Sequence, residues 1–349
     1  NCMTDSHHGP QTAPQDASTG AQSSTTVSRA DKAGADAPDV PRAPLSSTQI
    51  GVFVAVLIGV GVAYYWSFLE LITVWDLNPN YSHGYVVPFF ALGLGWVAYS
   101  RTNVLPISNG VSRQDTIRGG VEIAIGFALH LVGMFTMIDI IDVAGLIFIL
   151  LGILLAFGGK EANRAYALPV FFLIFMAPLP APVYDPVARV LQNFASIVAV
   201  ALFDAVGVIA LRDGIVITLE GGHVMRVEGA CSGLRSLTAI LSLSVAIAYL
   251  SGRKLPYCTL LVLMAAPVAI AVNCVRVFAT GLIMISPSLG PEWATGTAHE
   301  TEGMIMVGVA AAILALIAWM MASIEDWRQE RSDESKTSSA NMQPALENN

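Results

Sequence analysis

Residues 257–285 read Tyr257-Cys-Thr-Leu-Leu-Val-Leu-Met-Ala-Ala-Pro-Val-Ala-Ile-Ala-Val-Asn273-Cys-Val-Arg276-Val-Phe-Ala-Thr-Gly-Leu-Ile-Met-Ile285, with a single charged side chain among them. A hydrocarbon core roughly 30 Å thick is crossed by about 20 apolar residues in helix, so this stretch reads as a membrane span. The runs Ile50–Phe68, Tyr85–Tyr99, Val121–Ile138, Val143–Phe157, Ala165–Ala177, Val187–Leu211, Leu234–Leu250 and Met304–Ala322 repeat the pattern to either side. Composition agrees. With 54% hydrophobic and 13% charged residues there is too little charge to cover a water-facing surface of a 349-residue chain. The expected fold is an all-α, polytopic transmembrane helical bundle of about eight spans.

Both ends of the chain read differently. Residues 1–47 are rich in Ser, Thr, Ala, Pro, Asp and Gly, too poor in bulky apolar groups to offset the entropy of folding, and are expected to form a disordered N-terminal tail. Residues 325–349 are polar again and form a C-terminal tail, which leaves 48–324 as the membrane domain. The net charge of -8 comes partly from these tails. No basic stripe with interleaved aromatics is present, so nucleic acid is not an expected partner.

Lysine and arginine collect in the cytoplasmic loops of inner-membrane proteins. Arg101, Arg113 and Arg118 follow the second run, Lys160 and Arg164 the fourth, Arg253 and Lys254 the seventh, and Arg328 and Arg331 the last. The connections Glu70–Gly84, Asp139–Asp142 and Ser286–Gly303 contain neither residue and are expected outside. This alternation holds if Val187–Leu211, which carries Arg189, Gln192, Asn193 and Asp204, lies at the interface or dips back. The alternative is a ninth span.

Before the seventh run, alternating β-formers around Gly221-Gly222 predict a small outer-face hairpin. Gly229-Ala230-Cys231-Ser232-Gly233 then turns the chain into a helix starting near Leu234. A Gly-x-nucleophile-x-Gly turn between strand and helix exposes its central side chain and aims it at helix N-terminal amides, which favour thiolate over thiol. Cys231 is placed like a nucleophile; the bland reading is a small residue filling a helix start. Arg276 falls roughly 29 Å along its span at 1.5 Å per residue, near the outer edge of the hydrocarbon, with Asn273 three residues earlier on the same face. An ionisable group there is a functional candidate, against snorkelling to lipid phosphate. His299, in the outside loop Gly296–Gly303, can move a proton near pH 7, although a lone loop histidine is ordinarily just solvated. His-Glu-Thr-Glu-Gly lacks the second histidine of a zinc-protease motif, so no metal or other cofactor is expected. His223 competes for the base role, His130 reads as a bundle-interior hydrogen bond, and Cys258 and Cys274 read as packing.

The strings Glu228-Gly-Ala-Cys231-Ser232-Gly-Leu-Arg235-Ser236, Asn273-Cys-Val-Arg276 and His299-Glu-Thr-Glu-Gly303 resemble, in order, three signature blocks of the exosortase/archaeosortase family of membrane cysteine transpeptidases. Asn80-Tyr-Ser-His83-Gly-Tyr-Val-Val-Pro88 is similar to an upstream exosortase block. The likeness covers roughly residues 50–322, and histidine in the third block resembles the bacterial exosortase branch more than archaeosortases, which have arginine there. No C-terminal accessory domain like that of some exosortases follows. The resemblance implies a membrane protease-transpeptidase whose partners are secreted proteins with C-terminal sorting signals: a Pro-Glu-Pro-like motif, a transmembrane helix and a basic end. Cleavage would occur at the outer face of the bacterial inner membrane. It implies Cys231, Arg276 and His299 as catalytic, with Asn273, Arg235, Ser232, Glu228 and His83 binding or supporting. A transporter or channel, and a non-catalytic assembly factor for envelope polymers, are the rival readings; both tolerate loss of Cys231, and no inverted repeat supports the first.

Overall fold

The computed structural model describes residues 45–227, 234–286 and 296–346, the last stretch as backbone only at 296–304, 333 and 335–346. Helix α1 (Ser47–Ala63) opens on a capping box, Ser46 accepting from the Gln49 amide while Gln49 accepts from the Ser46 amide. It bends by 53° at Tyr64 into α2 (Tyr65–Leu77). A 3₁₀ turn (Pro79–Tyr85) leads to α3 (Val87–Thr102), followed by α4 (Arg113–Thr136) and α5 (Asp139–Phe171). After a second 3₁₀ turn (Phe172–Met176) come α6 (Ala181–Ala205), a three-stranded sheet, α7 (Leu234–Ser251), α8 (Leu255–Ile285) and α9 (Gly296–Leu346). The polar residues beyond Glu325 continue α9 without a break.

Among the described residues, six helices are long and apolar enough to cross a membrane, or seven if the bent α1–α2 pair is one span. One of the six is two limbs. Inside α5, Gly159 adopts φ 74° and ψ -171°, a conformation that ends an α-helix and that only glycine enters freely. The chain doubles back there: Asn163 Nδ2 donates to Leu151 O at 3.0 Å, and Ala144, Ile147 and Phe148 share one cavity with Phe171, Ile174 and Phe175. The fourth and fifth apolar runs are therefore antiparallel limbs with Lys160 at the turn.

Helix α6 qualifies as a span by length and composition, but its two ends lie on the same face of the bundle. At its start, Tyr184 packs on Tyr81, with ring centroids 6.0 Å apart, and Tyr81 Oη donates to Leu179 O. At its end, Phe203 closes on Gly281, one turn from the end of α8, leaving no room for a Cβ. The buried stripe Ala188, Gln192, Ala195, Ser196, Ala199 and Phe203 has the spacing of one helical face. Both ends thus touch segments at the sheet-bearing end of the bundle, the arrangement expected of a helix without a net crossing. It begins at Ala181 rather than Val187 because Pro180 and Pro182 set up its first turn.

The outer hairpin is a sheet of order β1-β2-β3, all antiparallel: β1 (Ala210–Asp213), β2 (Val216–Leu219) and β3 (His223–Arg226). Gly221 and Gly222, both with φ near +80°, make the β2–β3 turn anticipated from sequence. Strand β1 was hidden because Ala210 and Leu211 read as the tail of an apolar run. Arg212 ties the sheet to α6, donating to Asn193 Oδ1 at 2.9 Å and Gly214 O at 2.8 Å.

In lipid, burying apolar surface gives little net gain, so helices associate by close packing and polar contacts. Gly119 and Gly126 of α4 face Gly152 and Gly145 of α5, and Gly133 faces Asp142; a Cβ at any of the five glycines would lie within 2.5–2.7 Å of the partner's backbone. His130 Nδ1 meets Asp142 Oδ1 at 2.6 Å inside this hairpin, with the Tyr64 ring tilted over the imidazole at 4.1 Å between centroids. The expected bundle-interior hydrogen bond of His130 is present. Helices α7, α8 and α9 share a second core built on Ile240, Leu261, Ala265, Ala269, Ala310 and Leu314.

Candidate active site

The sheet, α6, the start of α7 and the end of α8 lie on one face of the bundle, and of the sequence-predicted site residues the described ones, His83, Arg235, Asn273 and Arg276, stand on elements that reach it. Glu228, Cys231 and Ser232, between Val227 and Leu234 in the chain, lie outside the described residues. The flanking frame is visible. Val227, fully buried, donates its amide to Ile215 O at 2.9 Å and ends the sheet, and α7 begins at Leu234.

Arg235, the second residue of α7, donates from Nη2 to Ser82 Oγ at 3.2 Å, across 153 residues of sequence. Ser82 Oγ in turn donates to Pro79 O at 3.1 Å. The 3₁₀ turn carrying Asn80 to Tyr85 is therefore pinned to the helix that follows Cys231. Its shape is set locally: Asn78 Oδ1 accepts from the Asn80 amide, Trp75 packs on Gly84 so closely that no Cβ fits, and Tyr85 Oη donates to Asp76 at 2.8 Å.

His83 lines a cavity of about 190 Å³ with Val86, Phe90, Phe172, Ala239 and Ser242. Burial pushes the imidazole below the usual histidine value; the backbone groups of Phe175 and Asn80 pull it up, and the Arg235 charge adds to the lowering. Neutral His83 can accept or donate a hydrogen bond. The partnership of His83, Ser82 and Arg235 was not legible in sequence. Only the shared polarity of the two blocks hinted at it.

Asn273 and Arg276 sit in the half of α8 nearer this face, 4% and 5% exposed. Burial to this degree rules out the snorkelling reading, in which the guanidinium would reach solvent. Thr280 Oγ1 donates to Arg276 O at 2.9 Å. His299 lies in the first turn of α9 rather than in a loop, and its side chain is outside the described residues. The blocks that hold Cys231, Arg276 and His299 thus belong to, or directly precede, three helices that pack on one another through a common core.

His223 starts β3 opposite Leu219, half-buried, on the β2–β3 turn. Cys274 is buried between α6, α8 and the sheet, and Cys258 is half-buried near the far end of α8; both are free thiols in packing positions. Among the described residues, no group of three or more His, Cys, Asp or Glu is arranged to hold a metal ion.

Residues 75–316, over two thirds of the chain, match the family model of the transmembrane exosortases. No curated protein and no solved structure matches.

Proposed function

Since the chain belongs to the transmembrane exosortase family, we propose that it is a membrane cysteine protease-transpeptidase that cleaves the C-terminal sorting signals, of Pro-Glu-Pro type, of secreted proteins. The observation that carries this reading is the burial of Arg276 and Asn273 at the end of α8 that lies beside the start of α7, three residues after Cys231.

The Cys231 thiolate attacks the scissile carbonyl carbon, a C–S bond forms, and the carbonyl electrons move to oxygen. Arg276 offers paired N–H donors and a full charge to that oxyanion, with Asn273 on the same face as a further donor. When the tetrahedral species collapses, the C–N bond breaks and the leaving amine takes a proton from His299. The resulting thioester is attacked by water or an amine whose proton His299 accepts; the C–S bond breaks and the Cys231 thiolate is regenerated. Arg235 and Ser82 position the helix start, while His83, Ser232 and Glu228 support substrate and turn.

Sidedness follows from charge. The face opposite the sheet carries Arg101, Lys160, Arg253 and Lys254 at its helix ends, so it is assigned to the cytoplasm and the site to the outer face of the inner membrane. The test is incubation of purified protein with a tagged sorting-signal substrate, followed by mass spectrometry. A thioester adduct on Cys231 is the expected outcome. Cleavage that proceeds equally in Cys231→Ala sinks the mechanism.

A further inference from the structure

On the face opposite the sheet, a groove of about 610 Å³ runs along α7 and the first turns of α8, reaching Leu168 of α5. Most of its lining is apolar: Val245 and Ala248 from α7, Val262 and Leu263 from α8. Two arginines stand at its polar end, and they differ in charge balance. Arg253 donates to Glu325 at 3.1 Å and to both oxygens of Asp326 at 2.9 Å, so its charge is neutralised. Arg101 donates from Nη1 to Tyr249 O at 2.8 Å and from Nη2 to Leu250 O at 2.5 Å, with its guanidinium 5.4 Å from the centre of the Tyr249 ring. Those acceptors are neutral. Among the described residues no carboxylate pairs with Arg101, so a full positive charge is held rigidly at the groove's mouth.

The start of α8 adds to this field. Leu255, Cys258 and Thr259 line the groove from its first turns; the N-cap Lys254 makes no side-chain cap and no acidic residue lies in the first turn. The partial positive charge of a 31-residue helix is therefore unopposed by a capping carboxylate. Gly252, at φ +62°, turns the chain beside the Arg101 guanidinium, which a Cβ there would meet at ordinary contact distance, 3.7 Å.

A fixed cation, a helix N-terminus and an apolar trough within the membrane-spanning region match one kind of molecule, an amphiphile with an anionic head. We propose that the groove binds an anionic phospholipid, its phosphate at Arg101 and the first turn of α8, and an acyl chain along Val245, Ala248 and Val262. Basic pockets between helices at the cytoplasmic side of a membrane are sites of this type. A zwitterionic lipid brings its own cation against Arg101, and free phosphate leaves the apolar trough unfilled. The site is remote from the sheet-bearing face and does not depend on the protease reading.

The test uses the full chain in detergent, titrated with phosphatidylglycerol or phosphatidylcholine of identical acyl chains, with bound lipid read by native mass spectrometry. One phosphatidylglycerol is expected to be retained about fivefold or more over phosphatidylcholine, the scale set by one cation near a membrane surface. Arg101→Gln keeps an amide donor for the α7 carbonyls and removes the charge; it should bring the two lipids to equal retention. Leu263→Trp fills the trough from its exposed wall and should lower retention of both lipids with the thermal melt unchanged. Equal retention by the wild type, an unchanged preference in Arg101→Gln, or displacement of the lipid by inorganic phosphate alone would each overturn the proposal.

Discussion

The α4–α5 hairpin and the α7–α8–α9 group both associate within lipid, but with opposite materials. In the hairpin, glycines at seven-residue spacing bring two backbones into contact, and polar pairs join the helices at His130–Asp142, beside Tyr64, and at Lys160–Asp115. In the second group small and branched apolar side chains form the core, while buried polar residues collect in and near it: Ser236, Ser242, Ser244, Asn273, Arg276 and Thr280. Buried polar groups in a membrane bundle are costly unless paired, and they mark working surfaces. Under the proposed mechanism the hairpin serves as scaffold and the second group arranges the chemistry.

Substitutions can break that contrast. The largest effect is expected at the proposed nucleophile: Cys231→Ala should abolish processing of a tagged substrate, and Cys231→Ser should nearly do so, because a serine hydroxyl is not ionised by a helix end and one arginine. Arg276→Lys should lower the processing rate by about 10²-fold or more, since lysine keeps the charge and loses the planar fork. Its melting temperature should stay close to wild type; a collapse in stability with normal activity per folded molecule would make Arg276 structural.

On the scaffold side the signature reverses. Gly126→Leu places a side chain where backbone atoms already stand and should cost about 3 kcal/mol in stability, read by thermal denaturation in detergent. Activity per folded molecule should be retained. If it is lost in step with Arg276→Lys, the division into scaffold and working half does not hold.

A smaller effect sharpens the comparison at the joint between the halves, where the His83 turn meets α7. Burial holds His83 below its usual value, so folding favours the neutral ring and the unfolded chain binds the proton more tightly. Stability from this site is therefore complete above the ordinary histidine range near ~6.5 and declines as pH falls through it. Melting curves between about pH 7.5 and 5.5 should show that decline, and His83→Gln should flatten it. The smallest effect is expected at His223, on the sheet turn: His223→Ala should leave processing unchanged. If it abolishes activity while His299→Ala is harmless, the base has been assigned to the wrong histidine.

Much of this architecture was legible before any coordinates. Each apolar run is a sum over neighbouring residues, and hydropathy depends on nothing distant, so the membrane class and the run positions could be read directly. The turn at Gly221-Gly222 was equally local. What failed were boundaries where two local signals overlapped. Ala210 and Leu211 are as apolar as the helix before them, and only pairing with Thr218 and Leu219 makes them a strand.

The sequence by itself determined that the chain lives in a membrane, which loops carry its positive charge, and which blocks hold the candidate nucleophile, arginine and histidine. Only the tertiary structure decided that α5 folds back at Gly159, that α6 starts and finishes on one face, that Arg235 reaches Ser82 and that His130 finds Asp142. The physical reason is range. Solvent preference acts residue by residue, whereas a hydrogen bond across 153 residues or a glycine contact between two helices exists only once the whole bundle has brought the partners together.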